Sequence, residues 1–330
     1  MDIENTVYLE GDCLIVVDRR ELPLRIARIR CADYGEVAQA IERMAVQGAG
    51  DIAVAAGYGL YLASRSLELS PGKAESLAVA AERLSLTRPT GHYLAALLKK
   101  LLGGTEGSSR PSEIILNSMK KIIERQRTIS RETGRHAQDL LSSGDRILTH
   151  CFAGAGLLYM LRFAKEAGKD VRVVCTETRP YLQGARLTAW SVSELGMDTT
   201  LITDNMAAHF MSRGEIDKVF TAADRIAMDG TVANKIGTLQ LAICAAHYGL
   251  PFYVLGYGDR DPNTARGEDI PIEERDPAEV TRFKGEPITS PLVRGRYPAF
   301  DLTPPELVTA VVTWRGVHNP KDFSPLCQAF

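Results

Sequence analysis

Between Arg146 and Tyr257 the chain repeats one rhythm, a short apolar run followed by a stretch with helical spacing. RILTH precedes GLLYMLRFAKEAG, VRVVCTE precedes GARLTAWSVSELG, TTLITD precedes MAAHFMSRG, KVFTAA precedes ANKIGTLQLAICAAHYG, and PFYVLGY closes the series. Strands separated by helices return in the same direction and pair in parallel, and the connecting helices cover both faces of the sheet. The expected fold class is α/β, with a Rossmann-like parallel sheet in a domain spanning 143–330. The tail of that domain, from GEDIPIEERDPAEVTRF through YPAFDLTPPELVTAVVT, reads as loop-rich, with a terminal helix and an edge strand.

The preceding residues follow a different pattern. VYLEGDCLIVVD (7–18) predicts a hairpin turning at Glu10 to Asp12. YGEVAQAIERMAV, GDIAVAAGYGLYLASRSL, AESLAVAAERLS and HYLAALLKKLL then carry apolar residues at helical spacing. This predicts a smaller, mainly helical N-terminal domain over 1–125 carrying a short β element. A polar turn, GGTEGSSRP, leads into a long helix over about 111–142 that links the two domains.

Several function classes are disfavoured. A formal charge of −2 gives no basic excess for nucleic acid or an anionic membrane. Apolar runs such as LLYMLRFA fall short of the roughly 20 residues needed to span a bilayer. The N-terminus, MDIENTVYLEGD, is acidic and lacks a signal-peptide pattern, so a cytoplasmic protein is expected. Six cysteines are scattered without a CxxC pair, and no zinc spacing is present. The first strand lacks a following GxGxxG, so no dinucleotide is indicated.

In an open parallel sheet, ligands bind beyond the carboxyl ends of the strands. There the chain places Thr149, His150 and Cys151, then Glu177, Thr178 and Arg179, then Asp204 and Asn205, then Asp224. Cys151 precedes a glycine-rich loop and a helix start, a setting that lowers a thiol pKa; a small buried hydrophobe is the alternative. Cys175, inside an apolar strand, reads as core. Asp224 is either a loop cap or a carboxyl whose raised pKa suits acid–base work. In VFTAADRIAMDGTVANKIGT (219–238), Asn234 and Lys235 read as a helix N-terminus fit for phosphate, or as an N-cap beside a solvated lysine. Gly48 and Ala49 open a helix whose small residues admit a phosphate or tight packing. Arg88, before Pro89, is either aimed at an anion or simply on the surface.

Five ordered stretches carry a family resemblance: ILTHC (147–151), ETRPYLQGARLTAW (177–190), LITDNMAA (201–208), ADRIAMDGTVANKIGT (223–238) and GEDIPIEERDP (267–277). Over nearly its whole length the chain resembles the methylthioribose-1-phosphate isomerase family. Its wider relatives include ribose-1,5-bisphosphate isomerases and regulatory subunits of a eukaryotic initiation factor's exchange complex. The resemblance puts Cys151 and Asp224 at the catalytic pair, and Gly48, Ala49, Arg88, Gln183, Asn234 and Lys235 at substrate- and phosphate-binding positions. Gln47 joins these positions where those isomerases usually carry arginine, so one positive charge is missing. FAGAGLLYMLRF after Cys151 is short, as in the bisphosphate isomerases, whereas LQGARLTAW and IPIEERDP are closer to the methylthioribose enzymes.

The family reaction turns an aldose 1-phosphate into a ketose 1-phosphate. The resemblance implies 5-methylthioribose 1-phosphate as substrate, a role in methionine salvage, a homodimer, and no metal or organic cofactor. Because the phosphate locks the anomeric carbon in a ring, ring opening needs catalysis: Asp224 donates to the ring oxygen and Cys151 works at C1 or C2. The alternatives are 5-deoxyribose 1-phosphate or ribose 1,5-bisphosphate as substrate, or a non-catalytic regulatory subunit binding a sugar phosphate or nucleotide.

Overall fold

The computed structural model describes residues 5–68, 73–88, 92–256 and 260–322. Contacts divide the chain into two units, Met1–Arg127 and Thr128–Ala329. Pro89, Tyr257 and Cys327 lie outside the described residues.

The first unit begins with β1 (Val7–Glu10), β2 (Cys13–Val17) and β3 (Arg28–Cys31). They form an antiparallel sheet in which Leu9 faces Leu14 and Leu14 faces Cys31. The hairpin turns where the sequence places it; β3 was not anticipated. Helices α1 (Tyr34–Glu42), α2 (Ala49–Leu67), α3 (Lys73–Ser85) and α4 (His92–Gly103) follow, then α5 (Pro111–Gln138). Asp33 caps α1 by accepting from Glu36 N at 2.9 Å. That helix stops at Glu42, short of the expected Val46, and α5 stops at Gln138 rather than 142. Residues 53–60 of α2 are all buried, which is why its sequence is small and apolar all round instead of amphipathic. Leu14, Val16, Val37, Ile41, Leu60, Leu84 and Leu97 share its core.

The second unit is mixed α/β. It runs β4 (Arg146–Thr149), α6 (Gly154–Glu166), β5 (Arg172–Thr176), a π-helical turn at Gly184–Ala189, α7 (Trp190–Glu194), β6 (Asp198–Ile202), α8 (Ala207–Ser212) and β7 (Lys218–Ala223). Then come β8 (Arg225–Ile226), β9 (Val232–Lys235), α9 (Thr238–His247), β10 (Phe252–Gly256), α10 (Ala278–Thr281), β11 (Arg282–Phe283), β12 (Glu286–Pro287), β13 (Phe300–Thr303), β14 (Ala310–Thr313) and β15 (Gly316–His318). The main sheet has seven strands in the order β15-β14-β10-β7-β4-β5-β6, all parallel except β15. Leu148, Val174, Val219, Val254 and Val311 form its core. The chain builds outward from β4 to β5 and β6, then crosses to β7 on the other side. Adjacent β4 and β7 thus flank the point where strand order reverses, and their carboxyl ends open a crevice there.

Two expectations need correcting. Residues 219–238 are not simply strand, loop and helix start: β8 and β9 form a hairpin between β7 and α9, and β13 adds a third strand to it. The expected terminal helix is absent among the described residues. Pro305–Leu307 makes one 3-10 turn, and the end of the chain supplies two strands instead.

Helix α5 meets α6 at a glycine. A Cβ on Gly134 would sit 2.7 Å from Met160 N and 2.9 Å from Gly156 O, both rigid backbone atoms. Gly134→Ala is therefore expected to destabilise the protein by about 1–3 kcal/mol through overpacking, read as a lower urea midpoint with unchanged slope. An unchanged midpoint would show that these helices separate at no cost.

Candidate active site

Cys151 follows β4 with φ at +59°, and Thr178 follows β5 with φ at +62°. A β-branched residue in the left-handed region is strained, so surrounding bonds must hold it. Asp204, just past β6, supplies them: its carboxylate accepts from Thr178 N at 2.8 Å and Arg179 N at 2.7 Å. Thr178 Oγ1 in turn accepts from Cys151 N at 2.9 Å, and Thr188 Oγ1 donates to Cys151 O. Three strand ends thereby fix one thiol. A Cβ on Gly184 would collide with the Thr176 carbonyl, so glycine there lets the π-helical turn approach β5 and seats Gln183 at its start. Gln183 is buried, and its Oε1 has no protein partner.

His150 is a strut. Its Nε2 lies 2.9 Å from Ile236 O, which only accepts, so Nε2 carries the proton, and Nδ1 accepts from Thr176 Oγ1 at 2.6 Å. Burial lowers its pKa and keeps it neutral. It ties the base of β4 to the segment after β9.

Asn234 and Lys235 are the last residues of β9, not the first of a helix. Helix α9 begins at Thr238, and Asp301 of β13 already occupies its amides, accepting from Gly237 N at 2.7 Å and Leu239 N at 3.1 Å. That end is thus not open to phosphate as the sequence led one to expect. Burial raises Asp301 to about 6 despite these bonds. Asn234 Nδ2 donates to Thr238 Oγ1, which donates to Lys235 O at 2.7 Å. Lys235 itself is 8% exposed. Its Nζ lies 4.5 Å from the centre of the Phe300 ring and, among the described residues, makes no hydrogen bond or ion pair. A buried ammonium without a counter-ion is costly unless an anion joins it.

That ammonium acts on both strand-end groups. Burial raises the Cys151 thiol to about 11, with Asp224 and Asp204 pushing the same way and Lys235 only partly opposing them. The expectation of a lowered thiol pKa is thus overturned, because desolvation outweighs one nearby cation. Asp224 is also raised, first by burial and then by Glu273, against Lys235 and Arg225. Its surface nonetheless remains exposed. Crowding by surrounding protein and an exposed surface thus meet at this carboxyl.

The remaining candidates lie in the first unit, gathered by one turn. Gly48, with φ at +87°, precedes α2 and has no side-chain cap; Gly48 and Ala49 are both exposed. Gln47 is buried, its Nε2 donating to Met44 O at 3.1 Å while Oε1 has no protein partner. Arg88 packs its guanidinium against Met44 Sδ. Behind the turn, buried Arg19 donates to Gln47 O and to Thr6 Oγ1 at 2.9 Å, and pairs with Asp51. The sequence reading missed Arg19 and Asp301, and placed Thr178 at the rim without its bond to Cys151. Arg19 is marked only by its place in a loop after an apolar strand, and Asp301 only by contacts with residues far along the chain.

Residues 45–320 match the Initiation factor 2 subunit family, and the chain belongs to it. A protein of Pelotomaculum thermopropionicum named methylthioribose-1-phosphate isomerase is 42% identical over 332 residues, covering 96% of this chain and 91% of that one. A crystal structure of 5-methylthioribose 1-phosphate isomerase from Pyrococcus horikoshii OT3 superposes with a TM-score of 0.86 at 33% identity, covering 97% and 94% of the two chains. A structure titled translation initiation factor eIF-2B, subunit delta, from A. fulgidus gives 0.82 at 36% identity, covering 94% and 95%.

Proposed function

We propose that the protein isomerises 5-methylthioribose 1-phosphate to 5-methylthioribulose 1-phosphate, with Cys151 and Asp224 as the reacting pair. The carrying observation is Lys235, whose buried ammonium makes no ion pair among the described residues and acts on both groups. An anionic substrate supplies the missing partner. Asp224, biased toward its protonated form, donates to the ring oxygen as the ring opens. Cys151, a protonated thiol at neutral pH, works on C1 and C2 as the hydrogen on C2 passes to C1, and the O2 hydroxyl gives its proton back to the Asp224 carboxylate as the ketone forms. Asn234 and Lys235 bind the phosphate, and Gln183 offers an amide oxygen, unpaired among the described residues, to a sugar hydroxyl. Gln47, Gly48, Ala49 and Arg88 are the substrate-binding residues that the first unit contributes by family resemblance. The sheet-bearing unit is the Rossmann-like catalytic domain of a cytoplasmic homodimer that needs no metal or organic cofactor.

The deciding experiment presents a panel of 5-methylthioribose 1-phosphate, 5-deoxyribose 1-phosphate and ribose 1,5-bisphosphate and follows each by phosphorus and carbon NMR. Ketose formation from the first, fastest of the three, is expected. No conversion of any, with nucleotide-dependent binding to a protein partner, would replace the enzyme reading with a regulatory one, to which the likeness to the A. fulgidus initiation-factor subunit points.

Lys235→Met keeps the stem over Phe300 and removes the charge. It is expected to cut kcat/KM by about 10- to 100-fold, the range for a charge-assisted contact, while the melting temperature holds or rises because an unpaired buried charge is gone. A fall in stability with unchanged kinetics would make Lys235 a structural residue.

A further inference from the structure

Tyr297 is 2% exposed, and its hydroxyl has no protein hydrogen-bond partner among the described residues. Most buried hydroxyls are satisfied, and an orphaned one carries a desolvation cost that calls for an explanation. The backbone around Tyr297 is tied at several points: Arg275 N donates to Tyr297 O at 2.9 Å, Ala299 N to Glu273 O at 2.8 Å, and Ile236 N to Ala299 O at 3.0 Å. These bonds join the segment that carries Tyr297 to the residue that follows Lys235, and Phe300, three positions on, faces Lys235 in register. Arg275, paired with Glu279, stands 5.7 Å from the ring centre and braces the ring. The phenol is therefore held rigidly beside the rim, with its one donor unspent.

We propose that the Tyr297 hydroxyl is a substrate contact, donating a hydrogen bond to a sugar oxygen at the reacting end of the ring. This rests on the isomerase reading. The phenol is well suited to the role: burial and the nearby Cys151 and acidic groups hold its pKa above the usual tyrosine range, so it remains a donor wherever the enzyme works. A donor in the segment that carries Phe300 to Lys235 complements the amide oxygen of Gln183, which can only accept. One oxygen of the sugar is then offered a donor and another an acceptor, which discriminates against analogues lacking either hydroxyl.

Tyr297→Phe removes only the oxygen. The expected result is a loss of about 10- to 100-fold in kcat/KM for 5-methylthioribose 1-phosphate and a smaller ligand-induced rise in melting temperature, with the unliganded melting temperature equal or higher. If wild type converts the sugar and the variant stays within about twofold of it, the Tyr297 contact is overturned and the isomerase reading stands. A variant that melts lower with unchanged kinetics gives the hydroxyl a structural role and overturns the contact equally. A wild type that neither converts nor binds this sugar phosphate removes the isomerase reading, and the contact with it.

Discussion

Asp224→Asn is expected to lower turnover of 5-methylthioribose 1-phosphate by about 10²- to 10⁴-fold, the range supplied by a positioned acid or base, while leaving the fold intact. The substitution keeps size and polarity and deletes only the transferable proton. Stability discriminates further. Burial raises the Asp224 pKa in the folded protein, so between the ordinary carboxylate value and the folded value the native state binds more protons than the unfolded chain. Stability contributed by this group therefore falls as pH rises through that window, and the asparagine variant escapes the fall. It is expected to melt at the same or a higher temperature than wild type at pH 7, with the gap closing in acid. The gap is small because water reaches the carboxyl. A variant with normal turnover removes Asp224 from the chemistry; one that is inactive because it melts early points to a structural carboxylate.

The strands of the main sheet were legible where local pattern and burial coincide. β4, β5, β7 and β10 are apolar runs flanked by polar residues, and Cys151, Asp204 and Asp224 follow the carboxyl ends of β4, β6 and β7, as the alternating pattern places them. What stayed hidden depends on partners far along the chain. Asn234 and Lys235 look like a helix start because KIGTLQLAICAAH is helical just beyond them; the competing pairing comes from β13, more than sixty residues away. The same strand carries Asp301, which takes the α9 amides that a phosphate was expected to use. β14 was legible only as an edge, because its pairing with β10 on one side and β15 on the other cannot be read from local sequence. The Cys151 thiol was misjudged for a related reason. A glycine-rich loop before a helix signals a lowered pKa locally, whereas the desolvation that wins is set by the surrounding chain.

Cys151→Ser carries the second large effect, an expected loss of turnover of about 10²-fold or more, since a serine hydroxyl is far less acidic than a thiol. The backbone at φ +59° suits serine no worse than cysteine, so folding should survive. The raised thiol pKa gives an independent readout. Near pH 8 a thiol at about 11 is almost wholly protonated, so alkylation by iodoacetamide should be slow and should accelerate steeply toward pH 11. The linkage sign follows: at pH 7 the thiol is protonated in both folded and unfolded states and contributes nothing to pH dependence. From about 9 to 11 the unfolded chain loses its proton first, so this group destabilises the fold as pH rises there. Wild type should therefore lose stability relative to the serine variant only in alkali. Rapid alkylation of Cys151 at pH 7, identified by mass spectrometry, would mean that Lys235 outweighs burial and that the thiolate is the resting form, overturning the protonated thiol assigned to this residue.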